Sequence, residues 1–281
     1  MKPPVDNTRT YAILTDTTLC TGCETCVQAC KQTYHLDRDR AWRWKRRIDD
    51  LSSTRFTTII RRPGGHFVRH QCRHCLEPAC ASACIVGALQ KTDIGPVIYD
   101  EKRCMGCRYC MIACPYGIPR YSWEKQVPLV RKCVLCYDRI RNGGQPACTQ
   151  ACPYHATIFG TRAEMLAEAR RRFGQNPGKY FTRPGKTEPE IFGEHEVAGT
   201  SVLYISDIDL NQFLPWRPNL GDQPLPALTW AALSKVPPVV FGVAALMSGV
   251  YWIIGRRMHL QAEAAETAEQ NQADSLEEPH A

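Results

Sequence analysis

Sixteen cysteines gathered into four short groups constrain this 281-residue chain more than any other feature. Group one is Cys20, Cys23, Cys26 and Cys30, and group two is Cys72, Cys75, Cys80 and Cys84. Group three is Cys104, Cys107, Cys110 and Cys114, group four is Cys133, Cys136, Cys148 and Cys152, and no cysteine lies elsewhere. Disulfides require no particular spacing, and C-x-x-C-x-x-C on one loop is poor geometry for pairing. Structural zinc takes its ligands as two pairs, which leaves the later cysteines of each group without a role. A membrane-anchored zinc scaffold is nonetheless the rival that metal analysis must exclude.

The spacing C-x2-C-x2-C-x3-C is that of iron–sulfur ligation in bacterial ferredoxins, with three cysteines on one cluster and the fourth on another. Groups one and three have this spacing; group two is stretched to C-x2-C-x4-C-x3-C and group four to C-x2-C-x11-C-x3-C. Each keeps four cysteines, so four complete [4Fe–4S] clusters are expected. The proline that ordinarily ends the run is present as Pro115 and Pro153, but Lys31 and Ile85 replace it after groups one and two. Such a change alters loop shape and potential rather than removing a cluster. His70, His74 and His155 are read as surface or packing residues, because a Rieske centre replaces cysteines with histidines and none is missing here. Trp42, Trp44, Glu194 and Glu196 are read as interface or solvated positions. No nucleophile–base pair, phosphate loop or dinucleotide fingerprint is present, so no catalytic residue is expected. An enzyme using its own cluster would need an open iron site, and all sixteen ligands are committed.

The formal charge of +7 would otherwise suggest nucleic acid or an anionic surface. Four oxidised clusters would bring about −8, so the basic excess reads as counter-charge, with nucleic acid excluded as a partner. Arg73, Arg103, Arg108, Arg131 and Lys132 lie within or beside the cysteine groups as that reading requires. Internal repetition is visible: Asp16 and Asp100 each precede a first cysteine by four residues, after the apolar runs Tyr11–Leu14 and Val97–Tyr99. Ala88 and Ala156 each follow a last cysteine by four. The stretch from Asp37 to Arg62 is expected to be a hairpin or surface insertion, and Pro115, Pro119 and Pro128 break the link between groups three and four. Thr161 and Glu164 form a capping box opening a helix with Met165, Leu166, Ala169 and Phe173 on one side, ended by Gly174. Residues 176–189 read as loop, and Ser201–Ile205 as a strand.

Val236 to Gly255 contains no charged residue, and as a helix its length is about 30 Å, one hydrocarbon thickness. Pro237 and Pro238 sit at its start, and Trp230, Tyr251 and Trp252 suit the two interfaces. A single membrane span is therefore expected, with lipid as a partner. Arg256 and Arg257 follow it, placing the C-terminus in the cytoplasm and the cysteine-bearing part outside by the positive-inside rule. Residues 1–19 hold no apolar secretory core, and Arg46-Arg47 lack an apolar run after them, so export would depend on a partner. The acidic tail, 258–281, has six acids and no Lys or Arg, and is expected to be a frayed helix or flexible.

These features resemble the iron–sulfur (beta) subunits of membrane-bound respiratory oxidoreductases, partners of molybdopterin enzymes such as formate dehydrogenase and of quinone-linked [NiFe] hydrogenases. The resemblance rests on the four groups in order, on Cys104-Met-Gly-Cys-Arg-Tyr-Cys-Met-Ile-Ala-Cys-Pro, on Phe159-Gly-Thr-Arg-Ala-Glu-Met, on Gly199-Thr-Ser-Val-Leu-Tyr and on the terminal span. It implies an α+β fold of two bacterial-ferredoxin-like two-cluster modules plus one C-terminal transmembrane helix. The first module would comprise 1–60 and 130–225, the second 61–129, followed by an anchor at 228–257. It further implies crossed ligation. Cys20, Cys23, Cys26 and Cys152 would hold cluster 1, and Cys133, Cys136, Cys148 and Cys30 cluster 2. Cys72, Cys75, Cys80 and Cys114 would hold cluster 3, and Cys104, Cys107, Cys110 and Cys84 cluster 4. The implied role is a non-catalytic relay between a molybdopterin or [NiFe] catalytic subunit and a quinone-reactive membrane subunit, of cytochrome b or haem-free type. The bacterial inner membrane is the implied location, with the cluster domain periplasmic. The alternative is a cytoplasm-facing subunit of a molybdopterin reductase that runs electrons from quinol to substrate.

Overall fold

The computed structural model describes residues 9–37, 50–62, 64–123, 129–213 and 220–276. The elements begin with β1 (Tyr11–Asp16), α1 (Thr25–Thr33), β2 (Thr57–Arg62), β3 (His66–Gln71), α2 (Ala79–Ser82), β4 (Leu89–Lys91) and β5 (Val97–Tyr99). They continue with α3 (Tyr109–Ala113), β6 (Arg120–Tyr121), β7 (Val130–Arg131), α4 (Tyr137–Arg141), α5 (Ala147–Gln150) and β8 (Thr157–Thr161). The last are α6 (Arg162–Gln175), β9 (Val202–Ile205), α7 (Leu210–Phe213), α8 (Leu225–Leu233) and α9 (Val236–Leu276). The chain divides into two units, Met1–Ala227 and Leu228–Ala281.

In the first unit β1 is the middle strand of a three-stranded sheet, antiparallel to β8 and parallel to β9. Successive side chains of a strand point to opposite faces, and both faces of β1 are covered. Ala12 and Leu14 pack with Leu203, Ile205 and the Met165, Leu166 and Ala169 face of α6. Ile13 packs on the other side with Val27, Val202, Tyr204 and the buried Cys26, Cys72 and Cys148. The capping box is present: Thr161 Oγ1 accepts from Glu164 N, and Glu164 Oε2 accepts from Thr161 N at 2.8 Å. The helix runs to Gln175, one residue past the expected Gly174.

Asp16, 1% exposed, locks the end of β1. Its carboxylate accepts from Thr18 N at 3.0 Å, from Arg172 Nη1 at 3.0 Å and from Tyr180 Oη at 2.9 Å. A fully desolvated carboxylate must be satisfied in this way.

The same local design occurs twice. Asp16 N donates to Ala156 O, and Asp100 N donates to Ala88 O, so the strand before one cysteine group pairs with the strand after another. Asp100 Oδ1 accepts from Lys102 N at 2.9 Å, as Asp16 does from Thr18 N. Cys20 N and Cys104 N both close turns onto the residue three before. Glu24 and Arg108 then enter their helices from the left-handed region, at φ +60° and +65°.

The expected hairpin extends beyond Arg62. β2 and β3 pair from Thr57↔Gln71 to Arg62↔His66, so the hairpin straddles the expected division at 60/61. Ile59, Ile60 and Val68 are buried in the central core, which a surface insertion would not supply. Gly22, at φ +71°, lies under this hairpin; a Cβ there would meet the Phe67 ring at 2.4 Å. Trp42, Trp44, Arg46-Arg47 and Pro128 lie outside the described residues.

In the second unit, one helix among the described residues is long and apolar enough to cross a membrane, and it is exposed along its length. A core helix of a soluble domain would be buried, so the exposure fits a membrane anchor. The tail, expected to be a frayed helix or flexible, continues this helix as far as Leu276. Its Ala, Glu and Gln content favours helix, and His259 and Glu263 meet at 3.2 Å one turn apart.

Candidate metal centres

All sixteen cysteines are free thiols, so the disulfide alternative finds no bridge. Tight loops and short helices present them: α1 carries Cys26 and Cys30, α2 Cys80, α3 Cys110, and α5 Cys148. Cys20, Cys23, Cys26 and Cys152, from the first and last of the four groups, line one cavity with Thr21, Arg69 and Pro153. Among the described residues no three His, Cys, Asp or Glu side chains converge as a single-ion site would require. These four thiols surround a volume rather than a point, and an all-sulfur donor set around a volume fits an iron–sulfur cluster.

The electrostatic neighbours of the other cysteines follow the same crossing. Burial drives the Cys30 thiol upward, and Cys148 and Cys136 of group four add to the rise. Burial does the same to Cys133, followed by Cys30, Cys72, Cys136 and Cys148. Cys75 is raised by burial and then by Cys114, Cys72 and Cys80. Burial pushes Cys110 up to about 11, with Cys84, Cys104 and Cys107 contributing. Three proximities run between these sets: Cys26 near Cys148, Cys133 near Cys72, and Cys80 near Cys110. Thiols held this high are protonated at neutral pH, so loading metal must release protons.

Each group also has a donor aimed at sulfur. Thr25 Oγ1 donates to Cys23 Sγ at 3.3 Å, and Ala88 N to Cys84 Sγ at 3.1 Å. Ile118 N reaches Cys114 Sγ at 3.5 Å and Leu135 N reaches Cys133 Sγ at 3.4 Å. Hydrogen bonds to sulfur tune the potential of a cluster.

The expected counter-charges separate into two kinds. Arg73 and Lys132 are buried; the Arg73 guanidinium lies 4.1 Å from the Tyr204 ring centroid, and Lys132 Nζ donates to the carbonyls of Val97 and Cys133. Arg103 and Arg131 instead pair with Asp100 and Glu101, and Arg108 stacks on Tyr121 and Trp123. Two cations, one buried and one half-buried, escaped the sequence reading. Arg69, on β3, is 1% exposed beside Cys26 and Cys148. Lys91 donates to the carbonyls of His74 and Gly95, and burial brings it down to about 8 despite the nearby Cys75 and Cys72. Proximity to a cysteine along the chain did not identify them, because the folded hairpin and β4 bring them in.

The histidines are packing residues or lie at the surface. His70 and His74 are fully buried, and His74 Nδ1 accepts from Val97 N at 2.9 Å. Burial, then Lys132 and Lys91, pushes His74 well down, leaving it neutral. His155 is exposed, Glu196 accepts from Gly193 N inside the loop, and Glu194 pairs with Arg170.

Comparison with known proteins accords with these centres. The 4Fe-4S dicluster domain family model matches residues 64–162. The chain is 34% identical over 239 residues to the hydrogenase-2 operon protein HybA of Escherichia coli O157:H7, covering 74% of this chain and 72% of that protein. It is 35% identical over 187 residues to the B polypeptide of the anaerobic dimethyl sulfoxide reductase of Escherichia coli K12, covering 63% and 87%. It is 32% identical over 211 residues to the iron-sulfur subunit of nitrate-inducible formate dehydrogenase from the same strain, covering 69% and 67%.

Proposed function

Because this protein belongs to the family of [4Fe–4S] iron–sulfur subunits of respiratory oxidoreductases, we propose that it relays electrons through four clusters between a separate catalytic subunit and a quinone-reactive membrane subunit. Its relatives are subunits of larger oxidoreductases, which accords with a carrier that performs no catalysis of its own.

Under this proposal Cys20, Cys23, Cys26 and Cys152 hold the first cluster, and Cys133, Cys136, Cys148 and Cys30 the second. Cys72, Cys75, Cys80 and Cys114 hold the third, and Cys104, Cys107, Cys110 and Cys84 the fourth. When bound, such clusters supply one-electron carriers in series. The observation that carries the assignment is the cavity in which Cys152 joins three cysteines of group one. The repeated strand pairing, β1 with β8 and β5 with β4, favours two ferredoxin-like modules. The approach of Cys133 to Cys72 favours a line in which the second and third clusters are neighbours.

The residues of the chain itself bind, tune and insulate. Backbone and threonine donors aim at sulfur, buried cations offset thiolate charge, and the central core keeps water from Cys26, Cys72 and Cys148. The terminal helix tethers the relay to the membrane. We place the cysteine unit on the periplasmic side, carried there by its catalytic partner, with Arg256 and Arg257 in the cytoplasm.

The test is metal analysis of the full chain purified in its membrane complex. About sixteen irons per chain and no zinc is the expected result, whereas stoichiometric zinc overturns the reading. Co-purification identifies the molybdopterin or [NiFe] partner and the cytochrome b or haem-free quinone-reactive protein. A second reading, a cytoplasm-facing reductase subunit running electrons from quinol, is favoured by the dimethyl sulfoxide reductase relative. Protease treatment of intact spheroplasts separates the two: digestion of the cysteine unit supports the periplasmic side, and protection supports the reductase.

A further inference from the structure

One buried cation is shared by groups one and four. Arg69 faces inward from β3, fixed by its pairing with Ile59 and by its carbonyl accepting from Tyr204 Oη at 2.9 Å. None of its three guanidinium nitrogens has an oxygen or nitrogen acceptor among the described residues, while the Cys148 sulfur lies within reach. Its charge also acts on Cys20, Cys26 and Cys30, and its side chain lines the cavity that Cys152 completes. A guanidinium stays charged in proteins, and its five donors normally demand oxygen partners when desolvated. Cysteine sulfurs and the buried Tyr204 phenol draw most on its charge.

We propose that Arg69 is a positioning residue that sets the potentials of the first pair of clusters, its fixed charge favouring their reduced state. Each one-electron reduction adds one negative charge, with the electron supplied by the neighbouring carrier, and no bond or proton need change. A permanent cation at close range in a dry site offsets that added charge. The second pair is served differently. Lys91 and Lys132 donate to backbone carbonyls, so peptide dipoles take up part of their charge. The cysteines that the charge of Arg69 reaches belong to the first pair, so the shift is expected there.

This inference rests on the ligand assignment proposed above, and the experiment keeps the two apart. Iron analysis of the wild-type full chain tests the assignment; redox titration followed by electron paramagnetic resonance in Arg69→Gln tests the inference. The expected result is full iron content, two clusters about tenfold harder to reduce, or about 59 mV lower, and two unchanged. Arg69→Lys should recover most of that shift. Full iron with four wild-type potentials in Arg69→Gln overturns the proposal, as does a lysine variant shifted as far as glutamine. If Arg69→Gln loses its iron, the lysine variant decides: retention of iron shows that a cation is required, and loss in both variants overturns the proposal.

Discussion

Groups one and four are built into a three-stranded sheet with a capped helix packed behind it, whereas the strands between groups two and three form the short β4–β5 ladder, beside the packed pair α2 and α3. Behind the first sheet lies a core of Met165, Leu166, Ala169, Leu203 and Ile205 that contains no cysteine. The buried residues around the second ladder are Cys80, Leu89, Val97, Cys110 and Val130, so sulfur is a large part of that core. Apolar burial stabilises the first region whether or not metal is bound. The second region has the smaller cluster of its own and is expected to depend more on its ligands being bridged, as small metal-stapled domains do.

The largest test of this contrast is iron removal. Chelation of the purified full chain should lower amide exchange protection in β4 and β5 by roughly a thousandfold, while β1, β8, β9 and α6 stay measurably protected. Equal loss in both regions would break the comparison. A narrower test is Cys152→Ala, expected to remove one cluster, about four of sixteen irons, and to loosen the Cys20–Cys26 loop together with group four. Retention of all four paramagnetic signals would sink the crossed assignment.

Substitution of Asp16 probes the protein-only side of the contrast. Asp16→Ala takes from Arg172 one of its two carboxylate partners, Glu168 remaining, and leaves the Tyr180 hydroxyl without its acceptor, so it should cost about 2 kcal/mol in denaturant unfolding, a loss that persists after iron is removed. Loss of the capping box in Thr161→Ala should cost only about 1 kcal/mol and affect α6 alone. A cost appearing in β4–β5 exchange instead would mean that the two regions are coupled more tightly than their separate cores suggest.

Much of this architecture was legible in the sequence because the signals were local. Spacing within each group, the aspartate four residues ahead of Cys20 and Cys104, and the Thr161–Glu164 pair each act within one turn of chain. Arg69 and Lys91 were not legible, since their role depends on which strand face turns inward and on cysteines far away in sequence. The hairpin was only half visible, because its second strand carries Arg69, His70 and Gln71, which read as polar yet are buried. Net charge in the 258–276 stretch left a frayed helix and a flexible tail both open, and the backbone preference of its alanines, glutamates and glutamines decides for helix.

The placement of β1 also has a temporal side. Both its partners lie far downstream, β8 at Thr157–Thr161 and β9 at Val202–Ile205, while β4 and β5 are separated by residues 92–96 alone. A chain emerging from the ribosome at about 5–20 residues per second therefore offers its middle hairpin to folding long before its first strand can be enclosed. The earliest thiols made are among the last to be sheltered. Cellular machinery that delivers iron to this chain must either guard group one during that interval or work from the middle outward.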